Sequence, residues 1–162
     1  MSLGQALDPR ELRRVFSAFP TGVVAIAALV GGAPVGLVAS SFTSVSLDPA
    51  IVSVCVAHTS TTWPILRAAE GYGISVLSVD QERACRQLSS RGVDRFAALD
   101  WRVSDRNAVF LDGASAWLDC TLFEQVTAGD HDIVLLRVHD LGGDANIAPL
   151  VFHASQFRRL ER

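Results

Sequence analysis

Over the first twenty residues the apolar positions recur at helical spacing, and from Thr21 onward they alternate or run continuously. Leu12, Val15, Phe16 and Phe19 share one helical face. Asp8 is placed to cap that helix, Pro9 suits its first position, Glu11 completes a capping-box arrangement, and Pro20 ends it. The stripe predicts a helix that closes one mouth of a barrel.

The period then changes. Val23 to Val30 reads as a strand, Gly31-Gly32 as a hairpin turn, and Val35 to Ala39 as the returning strand. Asp48-Pro49 marks another turn before the apolar strand Ile51 to Ala57. A short helix follows, with Thr62 as its cap and Gly71 beyond its end, then a strand from Ile74 to Val79. Asp80 is expected to cap a second short helix with Ala84, Cys85 and Leu88 on one face. Ser89 to Asp112 is mixed and polar, which predicts a loop with one helical turn near Asp94. Ala116, Leu118, Cys120 and Leu122 alternate with Trp117, Asp119 and Thr121, the pattern of a half-buried strand. Ala128-Gly129-Asp130 turns the chain into a return strand, Ile133 to Leu141, and Leu150 to His153 forms another before a short basic tail. The sum is a mainly β chain with flanking helices, no repeat and no linker. One barrel-like antiparallel domain over residues 1–162 is the economical arrangement.

Composition sharpens this picture. At 162 residues and 49% hydrophobic, the chain can bury one good core and is too short for two ordinary domains. Only 19% of residues are charged and the mean hydropathy is +0.31, so a monomeric barrel would leave apolar surface in water. Self-association is the expected remedy. The net charge of −3 provides no overall positive field for nucleic acid. All 14 basic residues are arginine, so any basic contact to phosphate is a guanidinium fork. The cysteines Cys55, Cys85 and Cys120 form no CxxC pair and lie among apolar residues, as small hydrophobes rather than ligands or disulfides. The sequence shows neither a signal-peptide pattern nor an apolar run of membrane-spanning length, which predicts a cytoplasmic protein without a membrane partner.

Four segments can carry chemistry. Gly36 to Pro49 crowds Ser40, Ser41, Thr43, Ser44 and Ser46 at a strand end, uncharged donors and acceptors suited to the polar edge of a heterocycle or simply to turns. Val56 to Trp63 places hydroxyls just before a helix, an anion-binding arrangement or ordinary capping. Ser89 to Phe96 carries Arg91 and Arg95, either a phosphate grip or surface charges. His131 follows a tight turn into an otherwise apolar strand, a structural residue or a ring-orienting one.

In this order and spacing, FPTGVVAI, SSFTSVSLDP, VSVCVA, GISVLSVDQ, DRFAALDW, LDGASAWLDC, AGDHDIVLLRV and PLVFHASQF resemble the flavin reductase family of FMN-binding split β-barrels, over nearly the whole chain. The resemblance implies a Greek-key-like barrel that pairs as a homodimer, with flavin (FMN or FAD) near the interface and NADH or NADPH as hydride donor. Leu37, Val38, Ala39, Ser40 and Ser41 would face the isoalloxazine. Cys55, Val56, Ala57, His58, Thr59, Ser60, Thr61 and Thr62 would supply ring and phosphate contacts. Arg91, Arg95 and Phe96 would complete the cofactor site, His131 would stand beside the nicotinamide as the catalytic position, and His153 close to it. The chain departs from the family pattern at Val38, where many members have Thr, and at Ser75, Phe152 and Ser155, which replace common Asn, Tyr and Gly.

Hydride transfer between two cofactors needs no protein nucleophile, so the protein binds, stacks and orients. That agrees with a sequence lacking GxSxG, HExxH and a dinucleotide GxGxxG fingerprint. The expected activity is reduction of flavin for a partner flavin-dependent monooxygenase. The alternative is a non-catalytic flavin-binding or electron-relay protein on the same barrel.

Overall fold

In the computed structural model, which describes residues 4–161, strands dominate. The order is α1 (Pro9–Phe16), β1 (Thr21–Gly22), β2 (Val24–Val30), β3 (Ala33–Ala39), β4 (Thr43–Leu47), β5 (Ala50–Ala57), α2 (Trp63–Leu66) and β6 (Tyr72–Val76). A 3-10 turn at Val79–Gln81 leads into α3 (Glu82–Leu88). Then come β7 (Trp101–Val103), β8 (Val109–Leu111), β9 (Ala116–Ala128), β10 (His131–Gly143), β11 (Val151–His153) and β12 (Gln156–Arg158).

Seven strands form one antiparallel sheet in the order β3-β2-β6-β9-β10-β5-β4. The Gly31-Gly32 turn, with φ of +60° and +82°, closes the β2–β3 hairpin in register Val30↔Ala33. β2 is buried on both faces, which explains why its sequence does not alternate. Val24, Ile26 and Ala28 point into a core with Val54, Tyr72, Ile74, Val134 and Leu136. Val23, Ala25 and Ala27 point into a second core with Leu77, Cys85, Leu88, Phe96, Val109 and Leu150. Two cores on one sheet take up much of the high apolar content.

Several local expectations change. The α1 helix begins as read, with the Asp8 carboxylate accepting the Arg10 amide at 2.9 Å, but Glu11 pairs with Arg14 instead of reaching back to the cap. Its apolar stripe closes no barrel mouth in this chain: none of its residues is buried, and Val15, Phe16 and Phe19 are 52%, 68% and 76% exposed. Ser78, not Asp80, caps the turn before α3, through a reciprocal box with Gln81. The segment read as loop up to Asp112 contains the β7–β8 hairpin, whose Val109, Phe110 and Leu111 are buried. The tail adds β12 against β11. Asp119, on the expected solvent face of β9, is buried instead. No helix among the described residues is long and apolar enough to cross a membrane.

Candidate functional site

The site lies where the curled sheet fails to close. β3 and β4 are its two edges. β4 pairs with β5 only as far as Thr43↔Ser53, whereas β10 accompanies β5 to Ala57. Beyond Ser53, β5 therefore has a free side, and the end of β3 faces it. One hydroxyl spans the gap: Ser41 Oγ accepts the Cys55 amide at 2.9 Å, standing in for a missing ladder carbonyl, and lies 3.4 Å from the Cys55 carbonyl. Strand alternation points the Ala57 amide, two residues on, to the same side.

The opening is a cleft of about 490 Å³, within the range of small-molecule and cofactor sites. Its lips are Leu37 to Ser41 and Cys55 to Ala57, and its far end is formed by Thr59 to Thr62, Arg91 and Arg95, with His131 alongside. Leu88 and Ser89 at the end of α3 also line it, a contribution not expected from the sequence. The helical face containing Leu88 was legible, but not the cleft it would meet.

The hydroxyls divide into two groups. Ser41 is occupied by Cys55, and Ser60 Oγ accepts the Trp63 amide at 3.1 Å, so Ser60, rather than Thr62, caps α2. Thr62 Oγ1 accepts from Arg95. Ser40, Thr59 and Thr61 make no side-chain hydrogen bond among the described residues, which leaves them for a ligand.

The arginines divide in the same way. Arg95 donates from Nε to the Ser90 carbonyl at 2.8 Å, and from Nη1 to the Gly36 carbonyl and Thr62 Oγ1, both at 3.0 Å. It is a fastener between three walls of the cleft. Gly36 permits this arrangement, because a Cβ there would lie 2.8 Å from the Phe96 ring and 2.9 Å from the Ile26 carbonyl. Arg91 is exposed, and among the described residues it makes no hydrogen bond or ion pair. It is the cation left for an anionic ligand.

Three of the expected residues fall outside the cleft. Phe96 is buried in the second core, behind β3. His58 turns away to Asp132, Nε2 to Oδ1 2.9 Å. His153 lines a separate hollow with Arg10, Arg13 and Arg14 of α1. His131 remains at the rim, its Nδ1 2.7 Å from Asp130 Oδ1. That hydrogen bond holds the Asp130 carboxyl below its ordinary range.

The cleft lining contains two arginines and a histidine and no carboxylate, an electrostatic setting for an anion. Cys55, the one lining thiol, has no base hydrogen-bonded to its sulfur among the described residues. Burial, followed by the neighbouring Asp119 carboxylate, pushes the Cys120 thiol up to about 12, and burial also raises Cys85. Nothing here activates a nucleophile. No cluster of His, Cys, Asp or Glu able to hold a metal ion occurs among the described residues.

Fold and cleft thus define a split β-barrel whose cleft is lined by hydroxyls, two arginines and a histidine. Residues 16–161 match the flavin reductase like domain. The chain is 37% identical over 149 residues to a flavin reductase of Pseudomonas putida, covering 91% of this chain and 88% of that protein. It is 34% identical over 157 residues to the reductase subunit of a flavin-dependent monooxygenase from Rhodococcus jostii, covering 97% and 80%. The structure of the NADH:FAD oxidoreductase of Streptomyces globisporus, in complex with NAD and FAD fragments, superposes with a TM-score of 0.89 at 35% identity, covering 98% of each chain. The chain belongs to the flavin reductase family.

The residues present fit a flavin. The Ala57 amide and the Ser40 and Thr61 hydroxyls suit ring carbonyls and nitrogens, and Arg91 suits phosphate.

Proposed function

We propose that this chain is an NAD(P)H-dependent flavin reductase that reduces FMN or FAD and supplies the reduced flavin to a partner flavin-dependent monooxygenase. The observation that carries the reading is the cleft in the barrel split, which offers free hydroxyls, a free guanidinium and a rim histidine, without a carboxylate or an activated nucleophile. A bound flavin supplies the acceptor for the nicotinamide hydride. In the chain, Leu37 to Ser41 and Cys55 to Ala57 would hold the ring, Arg91 would neutralise phosphate, and His131 would orient the donor. The imidazole acts as an orienting group, fixed by Asp130.

The protein acts as one domain, paired as a homodimer in the cytoplasm. Support for pairing comes from apolar side chains left in water: Phe16 and Phe19 on and beside α1, and Leu47, 95% exposed, on the edge strand β4. Support for the compartment comes from three free cysteines.

The test is NADH or NADPH oxidation with excess FMN or FAD, followed by nicotinamide absorbance. Multiple turnovers are expected. Stoichiometric flavin binding without turnover would make the protein a flavin carrier instead. Light scattering is expected to give twice the 17.4 kDa chain mass.

A further inference from the structure

A smaller hollow adjoins the cleft. It has a volume of about 200 Å³ and shares Val38, Ala39, Ser40 and Ser89 with the cleft wall. Beyond that shared wall it is formed by Val23, Cys85, Phe152 and Phe157, so it is a slot beside the cleft with largely apolar walls. Its size is below the roughly 300–1,000 Å³ of a site for a whole ligand, which suits a single ring system whose remainder is held elsewhere.

The slot has aromatic character. Phe152 and Phe157 pack at 5.4 Å between centroids with their planes tilted by 59°. Both rings are only half-buried, so the chain leaves part of the pair uncovered. The exposed Arg86 guanidinium lies 4.9 Å from the Phe157 centroid and pairs with Glu82 at 3.0 Å. Burial pushes the Cys85 thiol up, which favours the neutral form at that wall. A polarisable, uncharged heterocycle is the partner that a half-buried pair of phenyl rings attracts.

We infer that this slot holds the adenine ring of a dinucleotide whose reactive ring lies in the cleft. The inference rests on the reductase reading above and goes beyond it, by assigning the Phe152–Phe157 pair as the feature that distinguishes dinucleotides from mononucleotides. Adenine reaches the slot from one of two sources, FAD or the nicotinamide dinucleotide. Both present the same base on a phosphate tether, and the assay separates them.

Dissociation constants for FMN and FAD, and KM for NADH and reduced nicotinamide mononucleotide, are measured for the wild type, Phe157→Ala and Phe157→Leu. The leucine variant keeps apolar volume in the second core while deleting the ring, so it reads the same ratios if the alanine variant does not fold. Base stacking on one aromatic ring predicts about a tenfold change. A tenfold loss of preference for FAD over FMN supports the slot and assigns it the flavin adenylate. A tenfold loss of preference for NADH over the mononucleotide supports it and assigns the donor's adenosine. If wild-type protein turns over and neither ratio moves, the slot assignment is overturned alone. Parallel weakening of FMN and FAD also overturns it, because the slot then serves the isoalloxazine or only the core. Wild-type protein that oxidises no nicotinamide with either flavin overturns the reductase reading and the slot together.

Discussion

Arg91 and Arg95 are four residues apart and line the same cleft, yet their replacement should have opposite consequences. Arg95→Met keeps most of the apolar stem and deletes three hydrogen bonds, to Ser90, Gly36 and Thr62. A bond from a charged donor contributes roughly 1.5–3 kcal/mol, and the two bonds sharing Nη1 are partly redundant, so a loss of about 3–5 kcal/mol is expected. For a chain of this length each kcal/mol moves Tm by about 2–4 °C, which places the drop near 10 °C. Arg91→Met removes no bond within the chain and should leave Tm within about 2 °C, as exposed substitutions do. Flavin affinity is expected to fall about 10- to 100-fold for Arg91→Met, the loss of one charge-assisted phosphate contact. Thermal melts without ligand and flavin titrations of both variants give the comparison. An Arg95 variant that melts like wild type, or an Arg91 variant that binds flavin like wild type, would refute the division of roles.

Further outcomes follow from the same geometry. Thr61→Glu places a carboxylate in a lining that has none, and should weaken flavin binding at least tenfold in a fluorescence titration while Tm holds. His131→Ala should raise the nicotinamide KM and lower kcat/KM by about one to two decades, with flavin affinity nearly intact. A loss confined to kcat would instead make the imidazole a proton donor or acceptor. The Asp132 carboxyl is held below its ordinary value first by the hydrogen bond from His58, then by Gln125. A carboxylate depressed in the folded state stabilises above its unfolded value, near pH 4, and loses that contribution as pH falls through the lowered folded value. Asp132→Asn should therefore flatten the acid limb of a stability-versus-pH curve below pH 4 and lower the plateau above it.

The sequence was most legible where turns and caps are local. Gly31-Gly32, Asp48-Pro49 and Ala128-Gly129-Asp130 each lie where the chain reverses, and the Asp8-Pro9 start of α1 is as read. Family motifs then indicated a split barrel, and the antiparallel sheet has that form. Elements whose stability is tertiary were harder to see. The β7–β8 hairpin is flanked by polar residues, and its strands exist because Val109, Phe110 and Leu111 fit against β2 and β6. At the cleft, composition counted hydroxyls but did not reveal their partners. Only the fold shows that Ser41 and Ser60 serve the backbone, that Arg95 is a fastener, and that Phe96 lies behind the wall. The face reached by His153 depends on where α1 packs, which no local pattern specifies.

The single hydroxyl of Ser41 across the barrel split has a consequence for motion. Past Ser53, one side of β5 is an incomplete ladder, and a planar ligand seated there would take the place of an absent strand. Ligand binding should then act as the last step of sheet closure. The Ala57 backbone amide is expected to exchange hydrogen quickly in the free protein and slowly in the loaded one, while Cys55, already paired with Ser41, and Val54 and Val56, whose amides face β10, change little. At a hundredfold excess over Kd the same closure adds about 2.7 kcal/mol to global stability.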